Sequence, residues 1–279
     1  MKSVYVLMHQ HKLDSMAYVR RFADIFHRAG MKVMAEEWLY QLAGEGGQPL
    51  LDGTSPKGCE AVISIGGDGT FLRANAVALE EGLPILGVNI GRVGFLTEIE
   101  LDELEAACQK LAADEFTIEN RMMLEVQSAD QTFLALNDVV ISRGGYSRLI
   151  GIDAWVDEDP IGRFLADGLI ISTPTGSTGY SLSAGGPIIC PELECMLLTP
   201  ICAHSLQHRP VVTSAEQTIT VRLHDDVQAM VSIDGREPLP FGHGSLVSIT
   251  RAKRSARFIR LQPRSFFSKI RVKLSEWSC

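Results

Sequence analysis

The sequence predicts an α/β N-terminal domain with a parallel sheet, followed by a C-terminal all-β domain of the antiparallel, sandwich-like kind. Two observations predict this fold class. Up to about residue 116, apolar runs of strand length alternate with stretches of helical periodicity, which is typical of a parallel sheet. After that point, short apolar runs follow one another with turn residues between them, which is typical of antiparallel β structure.

The elements of the first part alternate regularly along the chain. The predicted strands are residues 3–8, 31–35, 61–65 and 84–88. The predicted helices are residues 14–28, 71–80 and 101–112. In the second part, the strand-length runs are residues 121–127, 131–142, 150–156, 168–173, 217–223, 229–233 and 245–251. We therefore predict one domain over residues 1–117 and a second over residues 118–252.

The remaining residues, 253–279, form a basic tail. From Arg251 to the end there are nine Lys or Arg residues and one acidic residue, so this stretch carries +8 in a chain of net charge −8. A basic tail fits nucleic acid or a membrane as well as an acidic surface of the same protein. Because the tail is also rich in apolar residues that need burial, we expect it to pack back on the first domain.

Composition narrows the function classes. The net charge of −8 argues against nucleic acid as the main partner. No run approaches the ~18–20 apolar residues of a membrane span, and no targeting signal is visible, so we expect no membrane partner and a cytoplasmic location. The six cysteines are scattered without a CxxC pair, and there is no HExxH pattern, so we expect no structural metal.

The first motif is the turn Gly66-Gly67-Asp68-Gly69-Thr70, which closes the apolar run AVISI. Its glycines permit positive φ and close approach of backbone N–H groups to a phosphate, and a helix N-terminus follows. Asp68 is the ionisable side chain inside the turn, placed to orient or deprotonate an attacking hydroxyl. The alternative is an aspartate that bonds its own turn. The dinucleotide fingerprint and the P-loop pattern do not fit here.

Two further motifs offer polar groups. Asn137 and Asp138 interrupt the apolar stretch LALNDVVISRG, and they suit a ribose hydroxyl or form a turn or bulge between strands. The segment from Asp167 to Pro187 is dense in hydroxyls and glycines, and its Tyr180 suits stacking on an adenine ring. The alternative for this segment is a solvated flexible loop.

In this order and spacing, the motifs resemble the NAD kinase family. The matching segments are GGDGTFLRA (66–74), GVNIGRVGFLTE (87–98), LND (136–138), DGLIISTPTGSTGYSLSAGGP (167–187), HSL (204–206), RP (209–210) and IDG (233–235). The resemblance implies transfer of the terminal phosphate of ATP to the 2′-hydroxyl of the adenosine ribose of NAD, giving NADP. It also implies a divalent cation, normally Mg²⁺, with ATP, and a homodimer or homotetramer in which neighbouring β domains complete the NAD site.

The resemblance also assigns residues. Asp68 matches the proton acceptor, and Gly69 lies beside the NAD phosphates. The residues that match contacts to NAD are Asn137, Asp138, Arg148, Asp167, Thr178, Gly179, Tyr180, Ser181, Leu182, Ser183 and Arg236. Three of these depart from the family pattern: Asp138 stands where Glu is commoner, Gly179 where Ala is usual, and Arg236 where Gln is frequent. No residue is assigned to the metal.

Two rival functions stay open at this point. Lipid and sphingoid kinases share the GGDGT turn, but the hydroxyl-rich third motif has no obvious purpose with an acyl chain. A non-catalytic sensor of NAD or NADPH is the other rival, and the retained Asp68 argues against it. The sequence does not decide whether polyphosphate replaces ATP, whether NADH is a substrate, or whether feedback regulates the chain.

Overall fold

The computed structural model describes residues 1–9, 16–44, 50–91, 94–145, 148–205, 207–262 and 265–276. Its contacts divide the chain into two compact units. The first contains Met1–Asn120 together with Ala256–Cys279, and the second contains Arg121–Ser255. The predicted fold class, an α/β part with a mostly parallel sheet followed by antiparallel β structure, is confirmed.

The first unit is built on one sheet. Its strands along the chain are β1 (Ser3–Met8), β2 (Lys32–Ala35), β3 (Ala61–Gly66), β4 (Ile85–Asn89), β5 (Ile99–Glu100) and β6 (Thr117–Arg121). Strands β1 to β5 pair in parallel, with β1 between β2 and β3 and with β5 against β4. The interior positions of β1, β3 and β4 are buried, because a parallel sheet in an α/β fold is covered on both faces.

The helices that connect these strands are α1 (Met16–Arg28), α2 (Glu37–Gly44), α3 (Asp68–Glu81) and α4 (Leu104–Ala112). In α1 the apolar residues Val19, Phe22, Ala23 and Phe26 are buried. Helix α3 begins at Asp68, three residues before the predicted start, because Gly67 already serves as its N-cap. Helix α2 lies in a stretch for which we predicted neither a helix nor a strand. Among the described residues, no helix combines the length and the apolar character that crossing a membrane requires.

The second unit contains two six-stranded antiparallel sheets. Its strands are β7 (Leu124–Ser128), β8 (Gln131–Ala135), β9 (Asp138–Arg143), β10 (Ile150–Val156), β11 (Asp159–Ala166), β12 (Gly168–Ser172), β13 (Cys195–Ile201), β14 (Val211–Ser214), β15 (Ile219–Leu223), β16 (Ala229–Ile233), β17 (Leu239–Phe241) and β18 (Leu246–Arg251). One sheet has the order β11-β10-β15-β18-β7-β8, and the other has the order β14-β13-β12-β9-β16-β17. One apolar core draws on both sheets, as in a β-sandwich.

The strand β9 holds the centre of the second sheet and positions much of the candidate site. It pairs antiparallel with β12, so that Asp138 lies opposite Ser172 and Ser142 lies opposite Gly168. On its other side β9 pairs with β16, so that Val139 lies opposite Ile233. Between β12 and β13 lie a 3₁₀ turn at Gly176–Thr178 and the one-turn helix α5 (Tyr180–Ser183).

After the second unit the chain returns to the first. Residues Ala256–Arg260 form β19, which pairs in parallel with β4 and lies between β4 and β6, and helix α6 (Phe266–Glu276) follows. The basic side chains of this segment meet acidic groups of the first unit. Arg260 contacts the buried Glu98 at 2.7 Å and also bonds Glu119. The segment is therefore a strand of the sheet as well as a basic tail.

Candidate active site

Asp68 occupies the first position of α3, directly after the strand β3 and its cap Gly67. Its carboxylate accepts two backbone hydrogen bonds, from the N–H of Phe95 at 3.0 Å and from the N–H of Leu96 at 3.1 Å. Both donors belong to the segment that follows β4, and they do not belong to the turn of Asp68 itself. The side chain is half-buried. It is therefore held at two points beside the N-terminus of a helix, a position that favours negative charge.

The glycines of this turn differ in their surroundings. A Cβ atom at Gly66 would meet the Thr70 side chain, so Gly66 permits tight packing of α3 on β3. A Cβ at Gly67 or Gly69 would meet nothing within 4 Å. None of the three has a positive φ, so the turn does not use the left-handed conformations that glycine permits. Packing does not require glycine at Gly67 and Gly69, which leave an open backbone surface of the kind that phosphate groups approach.

Gly94 adds a constraint that the sequence did not reveal. A Cβ atom at this position would overlap the Asp68 carboxylate and would also lie 2.9 Å from the Thr97 hydroxyl oxygen. The absence of a side chain at Gly94 therefore allows the segment Phe95–Leu96 to reach Asp68.

In the second unit, Asn137 ends the short connection from β8, and Asp138 begins β9. The Asn137 carbonyl oxygen accepts a hydrogen bond from the Thr173 N–H at 2.9 Å. A Cβ at Gly176 would collide with the Asn137 backbone, so this glycine permits the close approach. The Asn137 side-chain oxygen is buried and has no hydrogen-bond partner in the structure. Because such an oxygen is costly to leave unpaired, it favours a ligand donor here.

Asp234, in the turn after β16, holds this connection in place. Its carboxylate accepts hydrogen bonds from the N–H groups of Leu136 at 2.7 Å, Asn137 at 2.7 Å and Asp138 at 3.1 Å. In return, the Asp234 N–H donates to the Asp138 carbonyl oxygen at 3.0 Å. Arg236 lies two residues further on, is exposed, and its charge opposes the rise in the pKa of Asp234 that burial causes.

The carboxyl of Asp138 is buried beside this second carboxylate. Burial, followed by the negative charge of Asp234, raises the pKa of Asp138 to about 7. Because its pKa is raised to about 7, this carboxyl changes its charge near neutral pH. The two acidic side chains thus interact, and the state of one depends on the other.

The hydroxyl-rich segment after β12 is folded, so the alternative of a flexible loop is not supported. Gly179 lies against the site: a Cβ there would stand 3.7 Å from the Asn137 amide nitrogen and 3.8 Å from the Asp138 carboxylate. Thr178 donates its hydroxyl to the Thr175 carbonyl at 3.2 Å. Tyr180 is 47% exposed, which leaves its ring face open for stacking.

The helix α5 contributes the other predicted residues. Ser181 is fully buried, and its hydroxyl bonds the Thr199 hydroxyl at 2.8 Å, so its side chain stabilises the interior. Leu182 is half-buried and Ser183 is exposed.

Two predicted residues, Arg148 and Asp167, lie at the other end of the β9–β12 pair. Asp167 immediately precedes β12 and forms an ion pair with Arg143, the last residue of β9, at 3.2 Å. Arg148 is exposed and lies two residues before β10, whose Ile150 pairs with Ala166. At about 3.4 Å per residue, β9 separates these groups from Asp138 by roughly 17 Å.

The structure therefore groups the predicted residues into three sets. The first unit holds Asp68 and Gly69. The second unit holds an end of β9 that we name the Asn137 end, composed of Asn137, Asp138, residues 178–183 and Arg236, and an opposite end that we name the Asp167 end, composed of Asp167 and Arg148. Sequence reasoning missed Gly94, Arg143 and Asp234. Asp234 lay inside the quoted IDG motif, which was the available signal.

Known proteins give independent evidence of the family. Residues 48–116 match the model of the ATP-NAD kinase N-terminal domain, and residues 136–261 match that of the ATP-NAD kinase C-terminal domain. An NAD kinase from Moorella thermoacetica is 47% identical over 222 residues, which cover 78% of this chain and 71% of the relative. An NAD kinase from Heliobacterium modesticaldum is 37% identical over 294 residues, which cover 99% of both chains.

Two solved structures of kinases share the fold of this chain. The crystal structure of an NAD kinase from Archaeoglobus fulgidus in complex with ATP matches with a TM-score of 0.74 and 28% identity, covering 97% of this chain and 99% of that one. Yeast NADH kinase complexed with NADH matches with a TM-score of 0.88, covering 99% of this chain and 88% of that one, and at 23% identity it shows the fold. The chain belongs to the ATP-NAD kinase family.

Proposed function

We propose that this chain transfers the terminal phosphate of ATP to the 2′-hydroxyl of the adenosine ribose of NAD, with Asp68 as the proton acceptor. The observation that carries the role of Asp68 is its fixed carboxylate, held by two backbone N–H groups at the N-terminus of α3. Open backbone at Gly67 and Gly69 adjoins it on both sides. A phosphate and an attacking hydroxyl brought to this turn would meet donors and an acceptor together.

The proposed step is an in-line displacement. The 2′-oxygen of NAD forms a bond to the γ-phosphorus of ATP, the bond from that phosphorus to the β,γ-bridging oxygen breaks, and ADP leaves with the bond's electron pair. The hydroxyl proton passes to the Asp68 carboxylate. Because the transition state of phosphoryl transfer is loose and the proton moves late, an ordinary carboxylate is basic enough to accept the proton once Asp68 is correctly positioned.

Mg²⁺ is proposed to accompany ATP, where it would neutralise the charge that develops on the phosphates. Among the residues that the structure describes, no group of three or more His, Cys, Asp or Glu side chains is arranged to hold a metal. Magnesium often keeps few protein ligands, so a cation that is held largely by the phosphates of the nucleotide does not require such a group of side chains. A Cβ atom at Gly67 or Gly69 would meet nothing within 4 Å, which supports an approach of those phosphates to the backbone of this turn.

We propose that the Asn137 end binds NAD. The buried, unpartnered oxygen of Asn137 and the carboxyl of Asp138 offer hydrogen-bonding groups for a ribose, and Tyr180 offers a ring face. Gly179 lies against Asn137 and Asp138, Thr178 precedes it, and Ser183 and Arg236 are exposed. Ser181 would contribute through its backbone, because its hydroxyl is already bonded inside the unit.

The test is an assay of NADP formation from NAD, with ATP and polyphosphate as donors side by side. We expect Asp68→Asn to reduce turnover by roughly 10²–10⁴-fold, the usual contribution of a positioned acid or base. Asp24→Asn is the matched control, since Asp24 is an exposed aspartate of the same unit. Turnover at the wild-type rate by a folded Asp68→Asn protein would remove the role given to Asp68.

A panel of NAD, diacylglycerol and sphingosine with labelled ATP separates the rival functions. Diacylglycerol or sphingosine phosphorylation without NADP formation would favour a lipid kinase, and tight NAD binding without turnover would favour a sensor. Neither rival has an observation in its favour here, and both stay outcomes of the test. The cytoplasmic location and the homo-oligomer that the sequence predicts stay predictions.

A further inference from the structure

Asp234 is bonded more extensively than a turn residue requires. Three consecutive N–H groups, those of Leu136, Asn137 and Asp138, point at its carboxylate, and its own N–H returns a bond to Asp138. These contacts join residues that are 96 to 98 positions apart in the chain. Four hydrogen bonds thus connect this one residue to the segment Leu136–Asp138.

The backbone at Asp234 adopts a rarely populated conformation. Its φ is +50°, in the left-handed region that residues other than glycine seldom occupy, and Gly235 follows with a φ of +68°. This left-handed turn follows β16, whose Ile233 lies opposite Val139 of β9, and it brings the Asp234 carboxylate to the start of β9. Strain of this kind persists where the surrounding structure fixes it, and it is concentrated at functional sites.

We propose that Asp234 is a positioning residue for NAD binding, which fixes the Leu136–Asp138 segment so that the Asn137 amide and the Asp138 carboxyl face the substrate in one geometry. The proposal deepens the proposed function and rests on it. Asp234 itself is not placed against NAD. It acts through the backbone of Asn137 and Asp138, the two residues that are proposed to contact NAD.

A carboxylate is the side chain that this position requires. It has two oxygens that accept, no donor, and a charge that strengthens bonds from backbone N–H groups. In Asp234→Asn, an NH₂ group would replace one of these oxygens and face an N–H donor. The substitution also removes the negative charge beside Asp138, while the exposed charges of Arg236 and Glu237 remain in the turn.

The experiment measures the dissociation constant of NAD by calorimetry and the kinetic constants for NAD and ATP. For Asp234→Asn we expect the dissociation constant and KM for NAD to rise at least tenfold, while KM for ATP stays within twofold. We also expect the midpoint of the pH dependence of NAD binding to move to lower pH, because Asp138 loses a repelling neighbour. Glu237→Gln is the matched control, because it removes an exposed charge from the same turn.

A second variant covers the case in which Asp234→Asn does not fold. Asp234→Glu keeps the charge but adds a methylene, which displaces the segment, so we expect an NAD dissociation constant at least threefold above wild type. Wild-type affinity for NAD in whichever of the two variants folds would overturn the proposal. Failure of the proposed function is distinguishable, since it would show as a wild-type chain that forms no NADP.

Discussion

At the scale of single residues, Gly94 leaves the space in which the Asp68 carboxylate lies. Gly94→Ala places a Cβ atom where the Asp68 carboxylate now lies, so either the carboxylate or the Phe95–Leu96 segment must move. Because a displacement of about 1 Å in a catalytic group costs on the order of 10²-fold in rate, we expect kcat to fall by about that factor while KM for NAD changes little. Steady-state kinetics with both substrates measures this.

The control for Gly94→Ala is Gly44→Ala, since Gly44 is exposed and a Cβ there meets nothing within 4 Å. A Gly94→Ala protein with wild-type kcat and an unchanged melting temperature would contradict the argument, because it would mean that Asp68 tolerates displacement.

The Asp138 carboxyl predicts a dependence of stability on pH. Its pKa is raised to about 7 in the folded chain, chiefly by burial and then by Asp234, whereas an unfolded aspartate titrates near 3.9. The folded state therefore holds a proton that the unfolded state has lost. This contribution to stability is complete below about pH 4 and is lost as pH rises through about 7.

The side chain introduced by Asp138→Asn does not ionise, so the variant does not lose stability through this titration as pH rises. We expect the free energy of unfolding of the variant, relative to wild type, to be higher at pH 8 than at pH 5 by on the order of 1–3 kcal/mol. Urea denaturation of both proteins at both pH values measures this difference, in which the titrating groups that do not interact with Asp138 cancel. An equal difference at pH 5 and pH 8 would show that the carboxyl is not perturbed. NAD affinity should nevertheless fall in the variant.

At the scale of elements, β19 is the part of the first unit that comes from the far end of the chain. Phe258 of this strand is 1% exposed, pairs with Ile85 of β4, and packs its ring 4.8 Å from that of Phe71 in α3. We expect Phe258→Ala to lower the free energy of unfolding by about 3–5 kcal/mol.

The matched control is Phe267→Ala, because Phe267 of α6 is 67% exposed and should change stability by no more than about 0.5 kcal/mol. Urea denaturation of the two variants measures the change in the free energy of unfolding that each substitution causes. Equal losses of stability in both would mean that β19 does not belong to the core of the first unit.

How far the sequence predicts these elements depends on the environment of each strand. The runs 150–156 and 229–233 became β10 and β16 with their expected bounds, since their apolar residues match a half-buried sheet. In contrast, β11 is mostly exposed and contains Pro160 and Gly162, so its pattern resembles a loop. Arg257 and Arg260 made β19 look like a polar segment, because the partners of Arg260, which are Glu98 and Glu119, are distant in sequence.

The same limit applies to the site. The motifs and the family resemblance predicted Asp68, Asn137 and Asp138 as site residues. They did not identify Gly94 or assign a role to Asp234, because each acts on an atom of another segment, brought near only by strand order. The resemblance to the family predicts which residues belong to the site, whereas the tertiary contacts show which residues hold the others in position.

At the scale of the whole molecule, the predicted NAD residues lie at two ends of one strand pair. Asp167 and Arg148 are separated from Asp138 by roughly 17 Å along β9, so they do not surround a single point in the second unit. A homo-oligomer would account for this separation if the Asp167 end of one subunit completed the NAD site of its partner. Symmetric pairing of identical chains makes such sharing reciprocal.

Complementation between inactive variants tests that sharing. When Asp68→Asn and Asp167→Asn chains are co-expressed with different tags, random pairing makes half of the dimers mixed, and each mixed dimer has one site with both aspartates intact. We therefore expect about a quarter of wild-type activity in the unfractionated mixture, and none above the single variants when two differently tagged Asp68→Asn chains are combined. Absence of recovery from mixed dimers isolated by both tags would mean that each subunit uses its own Asp167, and light scattering confirms that the chains had assembled.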